Sequence, residues 1–145
     1  MTAAQDLAAL RGAAETYAIG ADRRDKDCWR AVLADDVEIV GPGFAIQGLE
    51  ANLGSIDHLA RAFKATRHIV HDQDLQVSGD TAQGETRSTA EHRLGGPDGG
   101  DLLLVWAIRY QDRWQREASG WKFVRRELIV DWEETRPVRD VGGAA

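Results

Sequence analysis

The sequence predicts an α+β domain whose helices pack on one face of a strongly curved sheet. Apolar residues recur at intervals of three and four only before Thr66, and β-rich segments follow it. The glycine-bearing joints between those segments are so short that consecutive strands must run antiparallel, and no parallel βαβ unit is visible. At 145 residues the chain has the size of one domain, long enough to bury ~70% of its unfolded surface around a single core.

Leu7, Leu10, Ala14 and Tyr17 form the stripe of a first amphipathic helix, which Gly20 is expected to break. A second short helix follows the polar run 22–27, with Trp29, Val32 and Leu33 sharing a face. Residues 37–40 alternate and are β-branched, so a strand is expected there, stopping at Gly41-Pro42-Gly43. A third helix is expected from residue 49 or 55 to 64, with Ile56, Leu59, Ala60 and Phe63 inward. Four strands are then expected at 67–77, 81–94, 102–113 and 121–132. Their joints hold Ser78-Gly79-Asp80, a glycine-rich run at 95–100, and Ser119-Gly120, residues that accept positive φ. The domain is therefore placed at residues 1–134, with an aperiodic tail at 135–145 that should be flexible.

In the third of those strands Leu102, Leu104, Trp106, Ile108 and Tyr110 share one parity, while Leu103, Val105, Ala107, Arg109 and Gln111 share the other. Both faces of its inner half are covered, so the strand is central. One interior needs only one apolar face, and the second, with the Trp-bearing last strand, predicts a homodimer.

The formal charge of −6 leaves no basic field for a nucleic acid or an anionic membrane. One cysteine, Cys28, excludes a disulfide framework, and its place among apolar neighbours reads as a buried, inert thiol. With no signal segment or membrane span at the start, the chain is expected to be cytoplasmic. No nucleotide fingerprint occurs and no histidine pair has metal-ligand spacing, so neither cofactor nor metal is expected.

Tyr17, Asp22, Asp25, His68, His71 and His92 are the candidates for proton chemistry. Asp22 also reads as a helix N-cap with Asp25 a first-turn acid, Tyr17 as a core tyrosine, and His68 as a bonded strand histidine. His68 and His71 face opposite sides unless a bulge intervenes. His92 is expected to be exposed, and Arg125 and Arg126 to form a solvated ladder with Glu127 and Asp131.

Tyr17 stands five residues before Asp22-Arg23-Arg24-Asp25. Leu33-Ala34-Asp35-Asp36-Val37, Gly48, His68, Gly79-Asp80-Thr81-Ala82, Arg109-Tyr110-Gln111-Asp112 and the run Gly120-Trp121-Lys122-Phe123-Val124-Arg125-Arg126 follow in order. Over about residues 5–133 this pattern resembles the SnoaL-like branch of the nuclear transport factor 2 superfamily, the polyketide cyclase, dehydratase and steroid isomerase type. The resemblance implies a cone, in which about three helices and a curved antiparallel or mixed sheet enclose a hydrophobic pocket. It also implies an Asp and a His in proton transfer, matching Asp22 and His68, with a tyrosine matching Tyr17. His71 and the charged 113–118 connection depart from that pattern.

The expected function is a cofactor-independent lyase or isomerase, dehydratase-like, acting on a small hydrophobic, polycyclic or carbonyl-bearing molecule. Asp22 would orient, His68 would abstract a proton, and Tyr17 would stabilise developing charge. The alternative is a non-catalytic ligand-binding module, or a partner subunit like the small subunit of ring-hydroxylating dioxygenases. Epoxide hydrolysis would need a second pocket acid bridged to Asp22 by an arginine, and no position stands out for one.

Overall fold

In the computed structural model, which describes residues 2–141, helix α1 (Ala3–Arg23) opens at a reciprocal capping box between Thr2 and Gln5. Gly20 does not break it. A Cβ there would lie 2.6 Å from the Trp29 ring, so this glycine lets the next helix approach closely. The helix ends at Arg24, the one described non-glycine residue with positive φ, at 56°. Helix α2 (Lys26–Val32) is capped by Asp25, whose carboxylate accepts from the Asp27 amide at 2.9 Å. Strand β1 (Leu33–Gly41) turns at Pro42-Gly43 into β2 (Phe44–Gln47), a four-residue strand that the sequence reading omits. Helix α3 (Leu49–Ala62) then leads into four long strands: β3 (Ala65–Ser78), β4 (Thr81–Gly95), β5 (Asp101–Glu117) and β6 (Gly120–Val138).

The sheet order is β2-β1-β6-β5-β4-β3, antiparallel except where β1 runs parallel to β6. The sheet is thus mixed and open, with three helices on its inner face, as the α+β cone requires. Two expectations fail at the strand ends. Residues 113–117 are not a connection but the end of β5, where Trp114, 1% exposed, turns inward between exposed Arg113 and half-buried Gln115. Thr135–Val138 are not a frayed tail, because they pair with Leu104–Asp101. The last expected tail residues, 142–145, lie outside the described residues.

The interior divides in two. Leu10, Ala14, Val37, Trp114, Trp121 and Phe123 fill one end solidly, while Ala90, Ile108 and Tyr110 form a separate cluster toward the other. Between them Arg126 and Asp112, 1% and 2% exposed, make an ion pair at 2.9 Å, and the Thr86 hydroxyl donates to Asp112 at 2.8 Å. Arg126 therefore turns inward, while Arg125 makes the expected pair with Glu127 and another with Glu38. Burial pushes the Asp112 carboxyl up, and the guanidinium and the hydroxyl pull it back down. The Arg126 guanidinium also lies 3.6 Å from the Tyr110 ring centroid and 4.5 Å from that of Tyr17. Arg126→Met would leave Asp112 buried and unpaired, and should lower unfolding free energy by roughly 3–5 kcal/mol. Urea denaturation measures this, and an unchanged midpoint would contradict it.

Candidate active site

The register of two hairpins, β3–β4 and β4–β5, brings the polar groups of the site together. Thr66 lies opposite His92, which lies opposite Leu104; His68 lies opposite Ala90, which lies opposite Trp106. Side chains alternate across a sheet, so this set faces inward together. The C-terminal end of α1 meets the same place on β3. Asp22, in the last turn of α1 rather than on a loop, accepts from the His68 ring Nδ1 at 2.6 Å and from the His68 backbone amide at 2.8 Å. A third donor, the Thr66 hydroxyl, reaches Asp22 Oδ1 at 3.0 Å. Since a carboxylate only accepts, Nδ1 carries the proton and Nε2 is left as the free ring nitrogen of His68.

His68 and Tyr17 line a cavity of about 450 Å³ at the open end of the cone; Asp22 stands behind His68 rather than in the wall. Among the described residues no Asp, Glu, Lys or Arg lines the cavity, and its polar side chains are hydroxyls, imidazoles and indoles. The Tyr17 ring stacks on Trp29 at 4.4 Å and meets Tyr110 edge-on at 6.5 Å. Burial raises both phenols well above the ordinary tyrosine value, so each stays protonated and able to donate a hydrogen bond.

The structure contradicts the expected exposure of His92, which is 2% exposed and forms part of the cavity wall. Its Nδ1–H donates to the Leu104 carbonyl at 3.0 Å, and its ring lies 4.8 Å from Trp106 and 6.1 Å from His68. His92 shares the inward parity of Ser88 and Ala90 on β4, which overrides its nearness to the turn. His58, on α3, also borders the cavity and was missed. His71 sits at a β3 bulge outside the cavity, bonded to Thr89 at 2.7 Å. Asp25 caps α2 and takes no part in the site. Cys28 is only partly buried, with its thiol raised by desolvation and by Asp25. Among the described residues, no three His, Cys, Asp or Glu side chains converge as a metal site.

A family model of the SnoaL-like domain matches residues 2–127. The chain belongs to the SnoaL-like family. Among curated proteins, none matches it in sequence. The solved structure of Kfla4162 from Kribbella flavida is 25% identical with a TM-score of 0.85, the match covering 92% of this chain and 95% of that one. A putative scytalone dehydratase from Novosphingobium aromaticivorans is 22% identical with a TM-score of 0.79, over 95% and 92% of the two chains. A hexachlorocyclohexane dehydrochlorinase, LinA type 2, is 22% identical with a TM-score of 0.77 over the same shares. At that identity these two likenesses concern the fold.

Desolvation holds the His92 imidazole below the ordinary histidine value of 6.5, against the upward pull of its bond to Leu104. A base with a depressed folded pKa binds protons less readily than in the unfolded chain. Its share of stability is therefore complete above pH 6.5 and declines as pH falls from there toward the folded value. His92→Gln should flatten that acid limb in thermal melts taken across pH 4 to 8, roughly the range over which histidine titrates. An identical limb in wild type and variant would contradict the assignment.

Proposed function

We propose that this SnoaL-like protein is a cofactor-independent lyase or isomerase, of the dehydratase kind, acting on a small hydrophobic, carbonyl-bearing molecule. The observation that carries the reading is the 2.6 Å bond between Asp22 and His68 beside an uncharged cavity. Asp22 holds the ring in the Nδ1–H tautomer and stabilises the imidazolium, so Nε2 acts as the base. It takes a proton from the carbon next to the carbonyl, and the C–H electron pair moves onto the carbonyl oxygen as an enolate. Protonated Tyr17, with Tyr110 beside it, supplies hydrogen-bond donors for that oxygen in a mostly apolar cavity. In the elimination, the enolate re-forms the carbonyl as the C=C bond forms and the β-hydroxyl departs. The His68 imidazolium returns its proton to that hydroxyl, giving water. In an isomerisation the same proton returns to a different carbon. Neither course changes the oxidation state of the whole. The names dehydratase and dehydrochlorinase carried by two structural neighbours both denote eliminations, which agrees with this reading.

A cavity of about 450 Å³ lies in the range of small-molecule sites, and suits two fused or linked rings. The proposal includes a cytoplasmic setting and a homodimer. Trp106 faces the cavity, so Leu103, Val105 and Ala107 face outward, and Trp132, in register with Ala107, is 71% exposed. Trp132 and these outward β5 side chains, set among Glu91, Arg93, Glu134 and Arg136 on the same face, are the surface we assign to a second copy.

The test uses a panel of bicyclic ketones and β-hydroxy ketones in D2O, with α-deuteration and loss of water followed by NMR. His68→Ala should lower the rate by ~10²-fold or more. Asp22→Asn should depress kcat more than it raises KM, because the tautomer rather than binding is lost. Equal rates in wild type and His68→Ala, with the ketone still bound, would point to the non-catalytic binding module instead. In sedimentation, Trp132→Glu should shift a dimer toward monomer, and a wild-type monomer at micromolar concentration would end the dimer proposal.

A further inference from the structure

Asp22 occupies an unfavourable place for a carboxylate, because the last turn of a helix exposes carbonyl groups and partial negative charge. Beside it, Arg24 turns into the left-handed region at φ 56°, where the backbone alone would favour glycine. That conformation aims the guanidinium back at the helix end. Its Nη1 donates to the Ala21 carbonyl at 2.7 Å and to the Thr66 hydroxyl at 2.8 Å.

The direction of the second bond matters. A guanidinium has no acceptor, so the Thr66 oxygen accepts from Arg24 and has its own proton left for one partner. That partner is Asp22 Oδ1, at 3.0 Å, the oxygen that also accepts from His68 Nδ1. The other carboxylate oxygen takes the His68 backbone amide. The carboxylate is thereby held from three sides, and its plane is fixed relative to the ring it orients.

We propose that Thr66 and Arg24 are positioning residues for the Asp22–His68 pair: Arg24 sets the direction of the Thr66 hydroxyl, and that hydroxyl locks the Asp22 carboxylate onto His68 Nδ1. This deepens the reading of His68 as a base and rests on it. Neither residue touches the cavity, so neither acts on substrate directly. Asp22 bonds the His68 ring directly, and the His92 ring lies 6.1 Å from it. Arg24 adds positive charge behind the carboxylate, which balances the helix end without bonding the imidazole itself.

Imidazole 15N and proton NMR of the whole protein tests this without a substrate. Wild type should show His68 as the Nδ1–H tautomer with a far-downfield Nδ1–H resonance. Thr66→Ser keeps a hydroxyl and should retain both signatures. Thr66→Val removes the hydroxyl at nearly constant volume and should lose the resonance, with the ring passing to a mixture of tautomers. Arg24→Gly should have the same effect while melting no lower than wild type, because glycine relieves the left-handed backbone. That variant separates positioning from fold stability. Wild-type ring shifts in Thr66→Val would overturn the role of Thr66, and in Arg24→Gly that of Arg24. A wild-type His68 already mixed in tautomer and lacking the downfield proton would overturn the pair itself, an outcome distinct from failure of the two supports alone.

Discussion

The macrodipole of α1 puts partial negative charge at the end where Asp22 stands, so its carboxylate is tolerated there only with donors on both oxygens. Those donors come from β3, forty residues and more along the chain, through Thr66 and both the ring and the backbone of His68. The requirement joins the first helix to an edge strand of the sheet. It also fixes which nitrogen of His68 is free, since the ring that satisfies the carboxylate must carry its proton on Nδ1. One local electrostatic demand thus links helix capping, strand register and the chemistry of the cavity.

The rest of the fold keeps that pair in an apolar place. Side chains fill one end of the cone, where Trp114 and Phe123 stack at 3.6 Å, and leave the other end hollow. Between the two, the Arg126–Asp112 pair lies beneath Tyr17 and Tyr110, its cation against both rings. A buried ion pair contributes little net stability beside well-packed apolar residues, yet removing one partner is costly. Its place here is consistent with holding two phenols in fixed positions at the cavity floor. Among the described residues no carboxylate, ammonium or guanidinium lines the cavity, whose walls are mostly apolar, which favours neutral, apolar molecules.

Much of this could be read from residue order, and the misses have physical causes. The stripe through Leu10, Ala14 and Tyr17 and the parity of Leu102 to Tyr110 mark the helix and the central strand, because periodicity reports which face is buried, although Leu7, expected on the same stripe, is 44% exposed. Gly20 misled because a glycine at a close helix crossing looks like one at a turn until the Trp29 ring is seen against it. The short strand β2 is four residues long and has no period to detect. Asp22, His68 and Tyr17 are joined as one site only by the resemblance, since their meeting depends on how α1 packs against β3, which no local pattern reports. Charge and nearness to a turn predict His92 and Arg126 at the surface, and their inward parity overrides both, leaving them 2% and 1% exposed. Arg24 and Thr66 had no visible signal, as nothing local distinguishes a hydroxyl that bonds a carboxylate forty-four residues away.

A crystal structure with a bicyclic ketone or its enol analogue bound tests the central claim most directly. The account predicts the ligand inside the cavity, with the carbon next to its carbonyl at His68 Nε2, the carbonyl oxygen toward Tyr17 and Tyr110, and Asp22 still bonded to Nδ1. A ligand seated elsewhere on the protein, or a His68 ring turned away from Asp22 in the complex, would contradict it.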